Sequence, residues 1–235
     1  VDSLIVVENY NYDTKRRLNK TAKTNSLNNN LEQTFSYPAV GTALDTKNMV
    51  STVIETVTKN NAKEIGRIKN FYHTSKILPD SVQTSASGLN NMRTDITYNR
   101  YDLYGNLVQY STIDGTSTIY LWGYNGQYPV AEIKGAIYQE VETAAKSAFG
   151  VTSIDALSQR GSVTEAQLNN FRNHTSVKNA LITTYTYQPL VGMLTATDPR
   201  GVTTYYEYDS FGRLKRVYLK EGSTEKALES YDYHY

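Results

Sequence analysis

A short pattern that occurs twice constrains the fold of this chain more than any other feature of the sequence. Residues 96–110 read ITYNRYDLYGNLVQY and residues 203–217 read TTYYEYDSFGRLKRV, and the two segments align without a gap. They share Tyr-Asp-x-Tyr/Phe-Gly-x-Leu, which begins at Tyr101 in the first copy and at Tyr208 in the second. A repeated motif of this kind predicts an array of similar units that pack on their neighbours.

The distribution of tyrosine extends the repeat to two degenerate copies. Residues 120–133 read YLWGYNGQYPVAEI and residues 183–194 read TTYTYQPLVGML, so both keep a pair of tyrosines and change the turn. Sixteen of the 21 tyrosines lie in residues 98–128 and 185–235. The sequence therefore predicts four units, and the ending YDYHY resembles the start of a fifth that is cut short.

Each unit is predicted to be a β-hairpin. Aromatic and β-branched residues at alternate positions favour a pleated strand on which one row of rings packs inward and the polar row faces water. At the turn, an aspartate accepts a backbone N–H and a glycine tolerates positive φ. The predicted turn residues are Asp102, Gly105, Asp209, Gly212, Asp198 and Gly201, with further turns at residues 113–116 and 220–223. The predicted fold class is mainly β, an antiparallel meander of hairpins with a small α-helical insertion.

The insertion separates the second unit from the third. Tyr101 and Tyr124 are 23 residues apart and Tyr187 and Tyr208 are 21 apart, but Tyr124 and Tyr187 are separated by 63. An amphipathic helix that ends at Gly150 is predicted from the apolar face formed by Ile137, Val141, Ala144, Ala145, Ala148 and Phe149. A second short helix is predicted at residues 154–159, and a third after a capping box at Ser162–Glu165. We expect these helices to pack on the sheet or project from its edge without changing the strand order.

The first part of the chain is less regular. Residues 13–33 are rich in Asn, Thr and Lys and indicate a loop or an edge strand. Strands are expected near residues 49–58 and 65–74, with a break at Pro79. The predicted organisation is a strand-rich region of the same β system at 1–95, repeats at 96–133, helices at 134–182 and repeats at 183–235.

The two complete motifs, Tyr101–Leu107 and Tyr208–Leu214, together with residues 120–133 and 198–214, resemble the Rhs or YD-repeat family and look like its members from Bacteroidetes. The resemblance implies a spiral β-sheet shell in a long protein that is secreted or exposed at the cell surface, in some members with a variable C-terminal toxin. The implied partners are the remaining YD repeats of the full-length chain, an encapsulated C-terminal toxin domain and surface glycans. Because family members are very long, we expect this chain to be a fragment.

Composition excludes several classes of function. The chain has 24 Lys and Arg against 23 Asp and Glu, so no net field attracts nucleic acid or an anionic membrane. It has no cysteine, and no apolar run is long enough for membrane insertion. His73, His174 and His234 have no zinc-binding spacing, and no nucleotide or hydrolase motif occurs, so neither a metal nor a cofactor is predicted.

The leading functional hypothesis is a non-catalytic structural segment of a large YD-repeat protein. The alternative is a carbohydrate or cell-surface binding module, whose ligand-binding aromatics would be Trp122, Tyr120, Tyr124 and Tyr128. A weaker alternative is a glycan-active enzyme, whose carboxylate pair would be drawn from Glu132, Asp102, Glu207 and Asp209.

Two further segments have both a structural and a functional interpretation. Asp198-Pro199-Arg200-Gly201 matches half of a paired motif in self-cleaving family members, but a tight turn is the favoured interpretation. The basic run from Lys15 to Lys23 can contact polyanionic glycans, but a solvated loop is favoured.

Overall fold

A computed structural model of the chain describes residues 6–75, 77–86 and 92–233. Within them, the chain forms fifteen β-strands and four short α-helices, and the order of the strands in the sheet is their order along the chain. The strand pairings are antiparallel, for example β1 with β2 (Val7–Tyr12 and Leu18–Thr24). The prediction of a mainly β antiparallel meander is confirmed. The chain is divided into two compact units, Val1–Tyr98 and Asn99–Tyr235.

The first unit is a meander of strands. After β1 and β2 come β3 (Asn30–Ser36), a helical turn α1 (Ala43–Thr46), β4 (Glu55–Asn60), β5 (Lys63–Tyr72), β6 (Pro79–Ala86) and β7 (Arg93–Tyr101), within which the second unit begins. α1 is capped by Thr42, whose side chain accepts the Asp45 N–H.

Residues 13–33 agree only in part with their sequence-based interpretation. Residues 13–17 and 25–29 are loops as predicted, but β2 between them is paired on both sides, so an edge strand is wrong for it. The strand near residues 49–58 begins only at Glu55, whereas β5 agrees with the strand predicted at 65–74. Pro79 begins β6, a position that suits proline because the first residue of a strand can dispense with an N–H donor.

The second unit continues the meander around the helices. Its strands are β8 (Leu107–Thr112), β9 (Ser117–Gly123), β10 (Tyr128–Lys134), β11 (Leu181–Gln188), β12 (Gly192–Thr197), β13 (Thr203–Tyr208), β14 (Leu214–Glu221) and β15 (Thr224–Ser230). Between β10 and β11 lie α2 (Tyr138–Phe149), α3 (Ile154–Ser158), α4 (Glu165–Arg172) and a 3₁₀ turn (Thr175–Val177). β10 nevertheless pairs directly with β11, with Ile133 opposite Ile182. The helices therefore leave the strand order unchanged.

The helix boundaries depend on local capping. Ile137 precedes α2 and its side chain is 63% exposed, so its predicted place on the buried face is wrong. Its N–H donates to the Glu140 carboxylate instead, which satisfies a free donor at the helix start. At the other end Gly150 has φ +63° and donates to the Lys146 carbonyl. The capping box of α4 is formed by Thr164 and Gln167, two residues later than predicted.

The core of the second unit lies between the helices and the sheet. Buried side chains from β9 to β11 pack with those of α2, α3 and α4 in one apolar cluster. Phe149 and Phe171, from α2 and α4, belong to this cluster, have ring centroids 5.8 Å apart and are almost fully buried. The helical insertion therefore packs on the sheet and supplies one side of the core.

Candidate functional site

The repeat motif builds a hydrogen-bonded turn around its aspartate. The Asp102 N–H donates to the Asn106 carbonyl at 2.9 Å, and the Gly105 N–H donates to the Asp102 carbonyl at 3.1 Å. Oδ1 of Asp102 accepts the N–H groups of Tyr104 at 2.9 Å and Asn106 at 2.8 Å. Gly105 has φ +85°, which closes the turn without a Cβ penalty. One buried carboxylate thus satisfies two backbone donors between β7 and β8.

The same turn recurs at Asp209 and Asp198. Oδ1 of Asp209 accepts the Phe211 and Arg213 N–H groups, both at 2.9 Å. Oδ1 of Asp198 accepts those of Arg200 and Val202, also at 2.9 Å. The glycines of these turns, Gly212 and Gly201, have φ +74° and +87°. The Asp198 carboxylate therefore serves the β12–β13 turn.

Sequence reasoning missed two further turns of this geometry in the first unit. Oδ1 of Asp13 accepts the Lys15 and Arg17 N–H groups at 2.8 and 2.9 Å, and Arg16 takes the glycine position with φ +62°. Asn25 forms the same bonds with its amide oxygen, both at 3.0 Å. The signal for the first was present, because residues 12–18 read YDTKRRL and keep the Tyr, Asp and Leu of the motif.

The turns at Asp13, Asp198 and Asp209 hold their carboxylates in the charged form. Hydrogen bonds from the backbone of Arg17, Val202 and Arg213 lower the pKa of Asp13, Asp198 and Asp209, respectively, against a smaller opposing effect of burial. In Asp13 and Asp209 the second carboxylate oxygen accepts an arginine Nε–H at 2.7 Å, which also lowers the pKa. The aspartates are therefore fixed acceptors at neutral pH.

Three tyrosines join the hairpins on the two sides of the insertion. Tyr124 meets Tyr128 and Tyr187 edge to face, with ring centroids 5.6 and 5.8 Å apart, and Tyr128 stacks on Tyr187 at 4.6 Å. The hydroxyl of Tyr128 accepts the Leu190 N–H at 3.4 Å. Burial raises the pKa of Tyr187 well above its usual range. Tyr187 therefore stays neutral, and the three rings act as packing in which the hydroxyls of Tyr124 and Tyr128 also accept hydrogen bonds.

The four aromatics predicted to bind a ligand do not form one exposed surface. Tyr124 is only 4% exposed and belongs to the core. Trp122 is half-buried, and its Nε1–H donates to the Leu107 carbonyl at 2.8 Å. Tyr120 lies beside Tyr110 with ring centroids 6.4 Å apart, and burial raises its pKa to about 12. Hydrogen bonding and packing within the sheet account for the placement of each ring.

The carboxylates considered for glycoside hydrolysis are engaged in ion pairs or turns. Glu132 pairs with Lys134 at 2.6 Å. Glu207 lies with Asp209 beside an open cavity of about 610 Å³, and hydrogen bonds from Lys215 and then Arg216 lower the pKa of Glu207. A glycosidase needs one carboxyl with a raised pKa as its general acid. Glu207 and Asp209 have the opposite shift, so the pair lacks that property.

The two described histidines and the basic run have local structural partners. His174 accepts the Ser176 N–H at 3.2 Å and begins the 3₁₀ turn, while His73 lies 3.6 Å from Asp80. His234 and Tyr235 lie outside the described residues. Of the basic run, Arg17 pairs with Asp13, and the ion pair of Lys20 is with Glu32.

Neither a metal site nor a membrane span is found in the described part of the chain. No group of three His, Cys, Asp or Glu side chains among those residues is placed to hold a metal ion. None of the helices described there has the length and apolar character that crossing a membrane requires.

Comparison with known proteins identifies the fold. No family model and no curated protein matches the sequence. Three crystal structures are similar over 97% of this chain and 11% of theirs: TcdB2-TccC3-Cdc42 at 15% identity and TM-score 0.52, TcdB2-TccC3 without its hypervariable C-terminal region at 15% and 0.53, and TcdB2-TccC3-TEV at 16% and 0.53. The chain therefore has the antiparallel β-meander fold of a segment of TcdB2-TccC3.

Proposed function

We propose that this chain is a non-catalytic segment of the wall of a β-sheet shell, built by a larger YD-repeat protein that is secreted or displayed at the cell surface. The observation that carries the proposal is the extent of the structural likeness. Nearly the whole chain, 97%, aligns with only 11% of the TcdB2-TccC3 chain. A sheet whose strands follow one another in sequence order can be extended at both edges by further hairpins.

The local chemistry suits a wall. Each repeat turn satisfies its own backbone donors through Asp102, Asp198 or Asp209, so a hairpin can be added without a new partner for its turn. Tyrosine pairs such as Tyr205 and Tyr218, with ring centroids 5.3 Å apart, connect neighbouring strands across the sheet. These features stabilise an extended sheet and require no ligand.

The proposed partners follow from the same reading. The first is the remainder of the full-length chain, and the second is a variable C-terminal domain enclosed by the shell. One matched structure is described as TcdB2-TccC3 without its hypervariable C-terminal region, which supports a variable C-terminal part in that protein. Because the YD motifs of this chain resemble those of the Rhs family, we propose a variable C-terminal domain for the full-length protein as well.

Electron cryomicroscopy of the full-length protein purified from its source tests the proposal. We expect a hollow particle whose wall contains the sequence of Asn99–Tyr235 as consecutive hairpins. A solid particle without an internal cavity, or a full-length protein too short to close a shell, would overturn it.

A further inference from the structure

A cleft in the second unit combines positive charge with an incompletely compensated arginine. It lies between the C-terminal end of α4, the 3₁₀ turn and the β12–β13 turn, and has a volume of about 510 Å³. Its three charged lining residues are Arg172, Lys178 and Arg200, and no Asp or Glu side chain lines it. The cleft is therefore locally cationic in a chain whose net charge is only +1.

Arg172 is the central group of this cleft. Its Nη1 donates to the carbonyls of Ile182 at 2.6 Å and Thr197 at 3.3 Å, and its Nη2 donates to the carbonyl of Asp198 at 2.6 Å. Carbonyl oxygens carry no net charge to balance a guanidinium. Among the described residues Arg172 has no ion pair, and none of its hydrogen bonds there uses Nε. A part-buried cation held in this way is stabilised by an anion that reaches its remaining N–H groups.

Electrostatics within the protein point the same way. Burial lowers the pKa of the Arg172 guanidinium, and the nearby Asp198 charge only partly opposes this. The Asp198 carboxylate itself is occupied by the turn N–H groups and by Arg200, whose Nη2 lies 3.0 Å from it. The Asp198 carboxylate therefore balances the charge of Arg200 at the rim of the cleft and not that of Arg172.

The rim supplies two further donors that can turn toward a ligand. Lys178 is exposed and, in the described part of the chain, makes no ion pair. The Arg200 side chain is 84% exposed, so it can leave Asp198 at small cost. Asn169 and Asn173 add neutral donors to the lining. Arginine, lysine and amide donors around one cleft match the several acceptor oxygens of a tetrahedral oxyanion.

Space for the rest of a ligand adjoins the cationic cleft. A smaller cavity of about 110 Å³ shares Asn169, Thr197 and Thr203 with it. Glu165 also lines this smaller cavity, so the anionic group of a ligand belongs in the cationic cleft and only an uncharged part fits here. Thr186 and Thr195 also line it and make it polar, with their hydroxyls 2.6 Å apart.

We propose that this cleft binds the phosphate or sulfate group of a small polar ligand, through Arg172 at its floor and Lys178 and Arg200 at its rim. This site does not depend on the proposed role of the chain in a shell. It also differs in position from the tryptophan and tyrosine positions of β9 and β10.

Nuclear magnetic resonance titrations of the 235-residue chain test the proposal. Backbone amide shifts are followed with inorganic phosphate, inorganic sulfate and acetate at constant ionic strength. We expect saturable shifts at Asn173, Lys178 and Gly201 with phosphate or sulfate and none with acetate. The tighter of the two oxyanions identifies the ester that the site prefers.

Two charge-matched double variants separate a site from general attraction. In Lys178→Gln/Arg200→Gln, the dissociation constant is expected to rise about tenfold or more, equivalent to about 1.4 kcal/mol. The control, Lys146→Gln/Lys215→Gln, loses the same charge outside the cleft and is expected to bind as the unmodified chain does. Shifts that do not saturate, unchanged binding in the first variant, or equal weakening in the control would each overturn the proposal.

Discussion

Tyr124 and Tyr187 lie 63 residues apart in sequence and are in direct contact: the Tyr187 N–H donates to the Tyr124 hydroxyl at 3.1 Å. Their rings meet edge to face with centroids 5.8 Å apart. The helical insertion lies wholly between these two residues, so this contact joins the repeat before it to the repeat after it. The array of hairpins is therefore continuous in space although it is interrupted in sequence.

Replacing Tyr124 by Phe tests this contact. The ring stays in place, but the Tyr187 N–H loses its acceptor in a half-buried position, which we expect to cost about 1–2 kcal/mol of unfolding free energy. Urea denaturation followed by circular dichroism measures it. Tyr128→Phe is the control, because its hydrogen bond to Leu190 is longer, 3.4 Å, and more exposed. Equal costs in the two variants would contradict the importance of the Tyr124 hydroxyl.

Asp102 provides a test of the repeat turn. Its side chain is buried, with 4% of the residue exposed, so Asp102→Ala leaves the Tyr104 and Asn106 N–H groups without their acceptor. We expect a loss of about 2–4 kcal/mol in the free energy of unfolding.

Asp102→Asn is the matched comparison for that turn. Asn25 forms the same two bonds with an amide oxygen, so the asparagine variant is expected to lose less than about 1.5 kcal/mol. Thermal or urea denaturation of both variants ranks them. An asparagine variant as unstable as the alanine variant would show that the turn depends on the negative charge, or on the bond that Asp102 Oδ2 accepts from Asn106 Nδ2 at 3.1 Å, and not on the two backbone bonds alone.

Gly126 is expected to resist substitution because the Tyr104 ring lies against its backbone. A Cβ at this position would come within 2.3 Å of Tyr104 Cδ2, and φ is +75°. Gly135 has a similar φ of +81° with open space around it. Gly126→Ala should therefore cost about 1–3 kcal/mol more than Gly135→Ala. Chemical denaturation measures the difference, and adding Tyr104→Ala should remove most of it; equal costs without that rescue would exclude the close approach.

The raised pKa of Tyr120 predicts that the free energy of unfolding falls in alkali. Burial, followed by the charge of Glu132, raises its pKa from 10.0 to about 12. A raised pKa in the folded state means that the stabilising effect is complete below pH 10 and is lost as the pH rises toward 12. Tyr120→Phe should remove this part of the pH dependence, measured as unfolding free energy against pH. Ionisation of the Tyr120 phenol near pH 10 in difference absorbance spectra would contradict the prediction.

Local rules were sufficient for the hairpins and not for the parts that depend on packing. Asp102 with Gly105 indicates a turn because the acceptor and the positive-φ residue occur within one short segment. The turn at Asp13 is not predicted by the motif because Arg16 occupies the glycine position, and residues other than glycine rarely adopt positive φ. Helical periodicity alone predicts an inward Ile137 side chain, because it takes no account of the cap that begins α2 at this residue.

Tertiary arrangement accounts for what remained hidden. The cationic cleft brings Arg172 of α4 to the carbonyl of Asp198, 26 residues away. Sequence spacing gives no sign of that contact. Tyr124 is buried because it belongs to the apolar cluster formed by the sheet and the helices. The aromatic character of a residue does not predict such burial, because burial depends on what packs against it.

The most direct test of the continuous array is a disulfide across β10 and β11. Glu132 and Thr183 are opposite each other in the register, and the chain has no cysteine of its own. Paired Cα atoms in antiparallel strands are about 4.5–5.5 Å apart, within the range that a disulfide spans. The control pair, Glu132→Cys with Gln188→Cys, places the second thiol about 16 Å farther along β11. Glu132→Cys/Thr183→Cys should oxidise almost completely while the folded chain keeps its circular dichroism spectrum and the control stays reduced, whereas equal oxidation of both pairs, or none in the first, would contradict a sheet that continues past the helices.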